Sequence, residues 1–299
     1  MKYAWVNGKI IPYQEAVVPI LTHALHYGTS VFEGIRAYWN GKELNIFRAR
    51  EHYERFHRSA RIIGLKIKYS VDELINATVE LLKANEFRED VYIRPIHFVS
   101  AQTITLDIRD LETTTAILAI PFGKYLQPSG VRAKVVSWRR VHSTMMPVKA
   151  KVGGIYVNSV IALLDAKVSG FDEAILLDHE GFVAEGSGEN IFIVKNGELH
   201  TPPIYSSILE GITRDTVIKL AADLGIKVIE RRIAREELYT ADEVFFVGTA
   251  AEITPVINVD GRDIGDGRPG PVTTRLRDYF MRVVRGEVDK YRHWLTPVY

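Results

Sequence analysis

The segment Pro121-Phe-Gly-Lys-Tyr-Leu-Gln-Pro-Ser-Gly130 constrains the fold of this chain more than any other. Proline and glycine punctuate it, so no regular element runs through it, and strand-like sequence lies on both sides. It predicts an N-terminal domain of residues 1–120, a connecting segment 121–131 and a C-terminal domain of residues 132–299. The length agrees: 299 residues suit two domains at roughly 150 residues each.

Both parts read as hairpins interleaved with helices. Asn7-Gly8, between Ala4–Val6 and Lys9–Pro12, is a two-residue hairpin turn. Val31–Tyr38 alternates and turns at Asn40-Gly41 into Glu43–Phe47. Arg48–Ile63 has helical periodicity, and Val71–Asn85 follows Ser70, a natural N-cap. Val91–Val99 and Thr113–Ile120 are apolar strands. Beyond the break come the strand Val131–Trp138, the helix Tyr156–Val168 and the strand Glu173–Leu177. A hairpin around Asn196-Gly197, the helix Thr213–Leu224, two strands and a closing helix Pro271–Val284 complete the chain. The fold class is α+β.

Composition excludes several functions. Lys and Arg total 38 and Asp and Glu 37, a net charge of +1, which leaves no broad footprint for nucleic acid or an acidic membrane. The absence of cysteine removes disulfides, thiolate metal sites and a cysteine nucleophile. No stretch approaches 18 apolar residues, and the first eight residues lack a signal-peptide pattern, so a cytoplasmic protein is expected. Nine Asn and three Gln are few, which with no cysteine leans towards a thermostable protein.

Several short segments can carry chemistry. Lys149-Ala-Lys151-Val-Gly-Gly154 places lysines beside a Gly-Gly turn; a lysine against apolar groups can attack carbonyls, although a lone loop lysine is most often simply solvated. Glu185-Gly-Ser-Gly-Glu-Asn190 is a glycine-rich turn with two acids, read equally well as a hairpin connection or as a close approach to a ligand. Gly211-Ile-Thr-Arg214 opens a helix, where free N–H groups bind anions, or where Thr213 merely caps it. Gly248-Thr-Ala-Ala-Glu252 is a strand–turn that can offer N–H groups and the Thr249 hydroxyl. His23 and His26 lack a third ligand at a recognisable spacing, so they read as core or hydrogen-bonded histidines, and no metal is expected.

Taken in order, these segments resemble the branched-chain-amino-acid aminotransferases, pyridoxal-phosphate enzymes of fold type IV. The resemblance runs nearly end to end. It rests on His23-Ala-Leu-His-Tyr-Gly-Thr-Ser-Val-Phe-Glu-Gly-Ile-Arg36, Tyr92-Ile-Arg-Pro95, Lys151-Val-Gly-Gly154, Glu185-Gly-Ser-Gly-Glu-Asn190, Gly211-Ile-Thr-Arg214 and Gly248-Thr-Ala-Ala-Glu-Ile-Thr-Pro255. It implies a smaller N-terminal α/β sandwich domain and a larger C-terminal pseudo-barrel-like domain. It implies that Lys151 carries pyridoxal 5'-phosphate as a Schiff base and shuttles the proton, and that Glu185 faces the ring nitrogen. Tyr156 would bond the phenolic oxygen. Arg55, Ile212, Thr213 and Thr249 would hold the phosphate, with Leu209 beside them in the cofactor site.

The resemblance further implies an α-carboxylate site at the Thr249 and Ala250 N–H groups near Tyr92. Phe32, Gly34, Tyr125, Tyr156 and Ala250 would form the side-chain pocket, with Tyr27 supplied by a second subunit of a homodimer or higher homo-oligomer. Arg94 would meet the distal carboxylate of glutamate or 2-oxoglutarate, and Arg36 would orient Tyr92 at the pocket edge. The implied activity is transamination of leucine, isoleucine and valine with 2-oxoglutarate. The alternatives are another type IV enzyme (a D-amino-acid or (R)-amine transaminase, or aminodeoxychorismate lyase) and a non-catalytic binding protein on the same scaffold. Tyr92-Ile-Arg94-Pro with Phe32 and Arg36 favours the branched-chain enzyme, and Lys151 argues against the binding protein. The loop Val99–Asp110 contains no glycine, where many bacterial relatives are glycine-rich, which bears on aromatic substrates.

Overall fold

A computed structural model describes every residue except Lys124, Tyr125 and Pro128. Two compact units emerge: Met1–Gly123 with Ala150–Ile155 and Val283–Tyr299, and Lys124–Lys149 with Tyr156–Arg282. Two later pieces return to the first unit because each finds strand partners there: Val152 bridges to Val31, and a C-terminal strand Leu295–Pro297 pairs with Asn45–Phe47.

The first unit is built on an antiparallel sheet. Its strands are β1 (Tyr3–Val6), β2 (Lys9–Pro12), β3 (Ser30–Phe32), β4 (Ile35–Trp39), β5 (Leu44–Phe47), β6 (Val91–Val99) and β7 (Thr113–Pro121). The order is C-terminal strand–β5–β4–β6–β7–β1–β2, with β3 also on β6. Asn7 (φ 46°) and Gly8 (φ 91°) form the expected hairpin turn, which needs positive φ at both central positions. Its helices are α1 (His23–Tyr27), α2 (Ala49–Ile62) and α3 (Val71–Asn85). Ser70 closes a capping box with Glu73 at the start of α3. Helix α2 packs on α3 and β3, and α3 packs on β1 and β7.

The expected strand Val31–Tyr38 is split into β3 and β4, and Pro95 of the central strand β6 supplies the reason. The register is unbroken, with Phe32 opposite Ile96 and Ile35 opposite Ile93. Glu33 therefore faces Pro95, donates its N–H to the Pro95 carbonyl at 2.9 Å, and receives nothing back because proline has no N–H. The alternation continues across the gap. Val31, Glu33 and Ile35 point to one face with Ile93 and His97; Phe32, Gly34 and Arg36 point to the other with Tyr92 and Arg94.

The second unit carries a mixed sheet. Its strands are β8 (Val131–Arg139), β9 (Glu173–Leu177), β10 (Val183–Gly186), β11 (Asn190–Lys195), β12 (Glu198–Thr201), β13 (Val228–Glu230), β14 (Glu243–Gly248), β15 (Glu252–Val259) and β16 (Arg262–Asp263). The order is β10–β9–β8–β15–β14–β11–β12–β13, with β16 on β15; β8 lies parallel to both β9 and β15. Helix α4 (Tyr156–Val168) packs on β8 and β9, and α5 (Ile212–Asp223) packs on β14. Val135, Ile175, Ile191 and Phe246 share one core cluster of this unit. Helix α6 (Arg235–Thr240) also belongs to this unit, as does α7 (Pro271–Val284) up to Arg282.

The packing around β6 has consequences that can be measured at His97 and at Gly34. The His97 imidazole is buried, pairs through Nδ1 with the Thr115 hydroxyl at 2.9 Å, and leaves Nε2 without a hydrogen-bond partner among the described residues. Burial first, and the charge of His57 second, pushes it down from 6.5 to about 4. Between those values the unfolded chain binds the extra proton, so the contribution is complete above about 6.5 and is lost as pH falls towards about 4. Denaturant titrations of His97→Gln should show a shallower loss of stability over that window than the parent; identical slopes would contradict it. A Cβ at Gly34 would stand 2.1 Å from the Tyr92 hydroxyl and 2.9 Å from its Cζ. Gly34→Ala should turn the Tyr92 ring away and cost about 1–3 kcal/mol from overpacking. A crystal structure of the variant with Tyr92 in its original place would refute this.

Candidate active site

The segment Ala150–Ile155 is fastened to the first unit along its backbone. Lys151 donates its N–H to the Ser59 hydroxyl of α2 at 3.0 Å, and its carbonyl accepts from Phe32 N–H at 3.1 Å. The Gly154 N–H bonds the Gly28 carbonyl at 3.1 Å. A Cβ on Gly28 would come within 2.6 Å of the Gly154 Cα, and Gly28 also sits at φ 63° as the cap of α1; both facts demand glycine there. The backbone of Lys151 is thereby fixed, and its side chain is half-buried with Nζ 4.8 Å from the Phe32 ring centroid. Lys149 differs: its amine lies 3.0 Å from Glu210 in an exposed ion pair of the second unit. The two lysines, two residues apart, have distinct chemical surroundings.

The strand alternation brings Phe32, Gly34, Arg36, Tyr92 and Arg94, all expected at the site, to the same face. Arg94 donates to the Tyr92 hydroxyl at 3.0 Å, and its guanidinium carbon lies 4.6 Å from the Phe32 ring centroid. The Arg94 Nε is buried and has no hydrogen-bond partner among the described residues. A buried donor left unsatisfied costs about 1–3 kcal/mol, so an incoming anion there is favoured. Gly34 contributes by having no side chain where Tyr92 stands. Arg36 is buried, donates to the Phe122 carbonyl at 3.2 Å and lies over the Phe122 ring, which in turn packs 4.9 Å from Tyr92. Tyr27 is exposed on α1 and donates to the Ile104 carbonyl at 2.9 Å, while His23 bonds Thr29 and the Thr105 carbonyl, so both α1 side chains hold the Ser100–Asp110 loop. Tyr125 lies outside the described residues.

Arg55 sits in the second turn of α2, buried against Glu33: its Nε and one terminal nitrogen donate to the two carboxylate oxygens at 2.7 and 2.8 Å. Lys151's anchor Ser59 lies one turn further along the same helix.

In the second unit, β10 presents Glu185 in a buried polar network. Arg140 Nε donates to it at 2.6 Å, Asn190 Nδ2 at 3.0 Å and the Leu209 N–H at 3.1 Å. Leu209, expected at the cofactor, contributes here through its backbone to the carboxylate. Helix α5 starts at Gly211, which offers no side-chain cap, and a Cβ there would meet the Asn190 amide oxygen at 2.0 Å. Thr213 is thus inside the first turn rather than the cap, and the start of a twelve-residue helix is left to backbone N–H groups. The turn carrying Thr249 and Ala250 joins β14 to β15, and Gly248 packs closely on Gly188 and Glu189. Glu189 accepts from the Gly188 N–H at 3.0 Å, a turn-holding bond. Tyr156 is the partly buried first residue of α4.

Sequence reading missed Arg140, Asn190, Ser59 and Glu33 as contributors. Asn190 and Glu33 lay inside motifs already singled out; Arg140 and Ser59 carry no local signal, since their partners are 45 and 92 residues away.

Each unit by itself offers groups that suit pyridoxal phosphate: the first a primary amine on a fixed backbone, the second a buried carboxylate held by an arginine and a helix start without a side-chain cap. The sequence pattern of the amino-transferase class IV family matches residues 30–259. A protein of Aquifex aeolicus named a probable branched-chain-amino-acid aminotransferase is 52% identical over 100% of this chain and 97% of its own. Two solved structures superpose closely. The branched-chain aminotransferase of the archaeon Thermoproteus uzoniensis, with norvaline, has a TM-score of 0.97 at 56% identity, covering 99% of both chains. The branched-chain amino acid aminotransferase of Thermobaculum terrenum, in its pyridoxal-phosphate holo-form, has a TM-score of 0.95 at 42% identity, covering 100% of this chain and 98% of its own. The chain belongs to the class IV aminotransferases, within the branched-chain-amino-acid aminotransferases.

Proposed function

We propose that this protein transfers the amino group of leucine, isoleucine and valine to 2-oxoglutarate, with pyridoxal 5'-phosphate as cofactor. The observation that carries the reading is one ring with two cations. Lys151 Nζ and the Arg94 guanidinium carbon lie 4.8 and 4.6 Å from the Phe32 centroid. An amine for the cofactor, an apolar wall for a branched side chain and a cation for a distal carboxylate are thereby gathered by a few residues of one unit.

The cofactor supplies the electron sink that stabilises the charge left when the substrate Cα loses its proton. Lys151 would hold it through Nζ, and the same amine would take the proton from the substrate Cα. The Ser59 and Phe32 bonds to the Lys151 backbone keep that base in place while its side chain moves. Glu185, seated by Arg140, Asn190 and Leu209, is assigned to the ring nitrogen. Tyr156 is assigned to the phenolic oxygen, Arg55 with the α5 N–H groups of Ile212 and Thr213 and the Thr249 hydroxyl to the phosphate, and Thr249 and Ala250 N–H groups to the α-carboxylate.

Assembly as a homodimer or higher homo-oligomer fits the surface. Ile20, Leu25, Ile104 and Leu106 are well exposed around Tyr27, and α4 exposes Val157, Val160, Leu164 and Val168 at helical spacing. The first patch is the one assigned to deliver Tyr27 to a second subunit. Among the described residues no helix is long and apolar enough to cross a membrane.

Lys151→Ala should keep the fold and lose turnover by several orders of magnitude, since the covalent anchor and a base worth about 10²–10⁴-fold both go. Lys149→Ala, which removes only an exposed ion pair, should be mild. Activity near the parent's in Lys151→Ala would end the assignment. Arg94→Met separates the two substrates. The 2-oxoglutarate half-reaction should slow roughly ten- to a hundredfold, while the L-leucine half-reaction changes much less. Single-turnover spectra decide it; equal losses would make Arg94 a structural residue.

A further inference from the structure

Glu33 lies in the two-residue gap that parts β3 from β4, and its side chain turns away from Phe32 and Gly34 towards α2. It is fully buried. Both carboxylate oxygens are used by Arg55, at 2.7 and 2.8 Å, and Oε2 also accepts from His52 Nδ1 at 2.7 Å. Burial alone would raise this carboxyl; the Arg55 charge and the hydrogen bonds of Arg55 and His52 outweigh it and hold it far below the usual range. Burial also pushes His52 down. Glu33 and Arg55 form a buried bidentate pair of opposite charge.

We propose that Glu33 is a positioning residue for cofactor binding: its bidentate grip fixes the Arg55 guanidinium in the orientation that receives the phosphate. The inference rests on the assignment of Arg55 to the phosphate. Two effects of opposite sign compete at this pair. Glu33 cancels the charge of Arg55, so simple electrostatics makes it an opponent of a phosphate dianion. A long, flexible guanidinium that must be held in one buried geometry makes it a helper, because ordering Arg55 is done before the ligand arrives. A buried pair is often no more stabilising than an apolar one, which is why a role in preorganisation accounts better for its presence than stability does. The tripeptide Phe32-Glu33-Gly34 then serves both faces of the sheet: its outer residues shape the pocket beside Arg94, and its middle residue sets the phosphate reader.

The test is the affinity of cofactor-depleted full-length enzyme for pyridoxal phosphate and for pyridoxal, which lacks the phosphate. Glu33→Gln should weaken pyridoxal phosphate by about tenfold or more, the scale of a charged hydrogen bond, and leave pyridoxal within about twofold. Should Glu33→Gln fail to fold, Glu33→Asp carries the test, because it keeps the charge and loses the reach; the same selective loss is expected. Unchanged or tighter pyridoxal phosphate binding, or equal weakening of both ligands, overturns the proposal. Arg55→Met is the reference. If it abolishes the preference for the phosphorylated ligand while the Glu33 variants do not, the role of Glu33 alone fails. If Arg55→Met keeps that preference, the assignment of Arg55 to the phosphate fails, and the proposal with it.

Discussion

The backbone of Lys151 is held from both sides, by the Ser59 hydroxyl on its N–H and by the Phe32 N–H on its carbonyl, and the role proposed for this lysine depends on that grip. In the role proposed for Lys151 the amine serves two tasks, so its side chain needs freedom while its Cα does not. The sheet supplies the second condition by accepting a short segment from far along the chain as a bridge to β3. Two glycines, Gly28 and Gly154, let the backbones approach closely enough for this to happen. The cost is conformational: glycines lose more backbone freedom on folding than other residues. That cost is accepted beside the site, whereas the strands of both sheets carry β-branched and aromatic residues that favour extended backbone.

Buried charge is the second organising theme. Glu33 with Arg55 in the first unit and Glu185 with Arg140 in the second are matched pairs, each with both oxygens of the carboxylate occupied. Removing either cation would strand a buried carboxylate, a penalty of several kcal/mol. Within each unit the pair makes local geometry costly to disturb. Arg94 is built differently. Its Nε has no partner among the described residues, and its guanidinium rests on aromatic faces, so it has bonding capacity left for a substrate that carries an acid.

Local turn and cap chemistry was readable from the sequence because its causes are local. Asn7-Gly8 made its hairpin, and Ser70 with Glu73 started α3 where expected. The parting of β3 from β4 was not readable, since its cause, Pro95, lies on a partner strand far along the chain. The short α1 escaped for want of two full turns of periodicity, and β15 because its beginning read as part of a turn. The choice between Lys149 and Lys151 rested on resemblance in the sequence; the structure gives a physical difference, an exposed pair with Glu210 against a fixed backbone and an aromatic face. Arg140 had no motif to mark it, because an arginine becomes part of a site only when the fold brings its carboxylate near. The return of Ala150–Ile155 and Val283–Tyr299 to the first unit was hidden for the same reason, as strand pairing between distant segments leaves no periodic trace.

Everything assigned to the site turns on which amine carries the cofactor. Borohydride reduction of the purified coloured protein makes that bond permanent, and digestion followed by mass spectrometry locates the pyridoxyl group on the chain. The expected result is modification of Lys151, with Lys149 unmodified and the visible band abolished. A pyridoxyl group on Lys149, or on any other lysine, would contradict it.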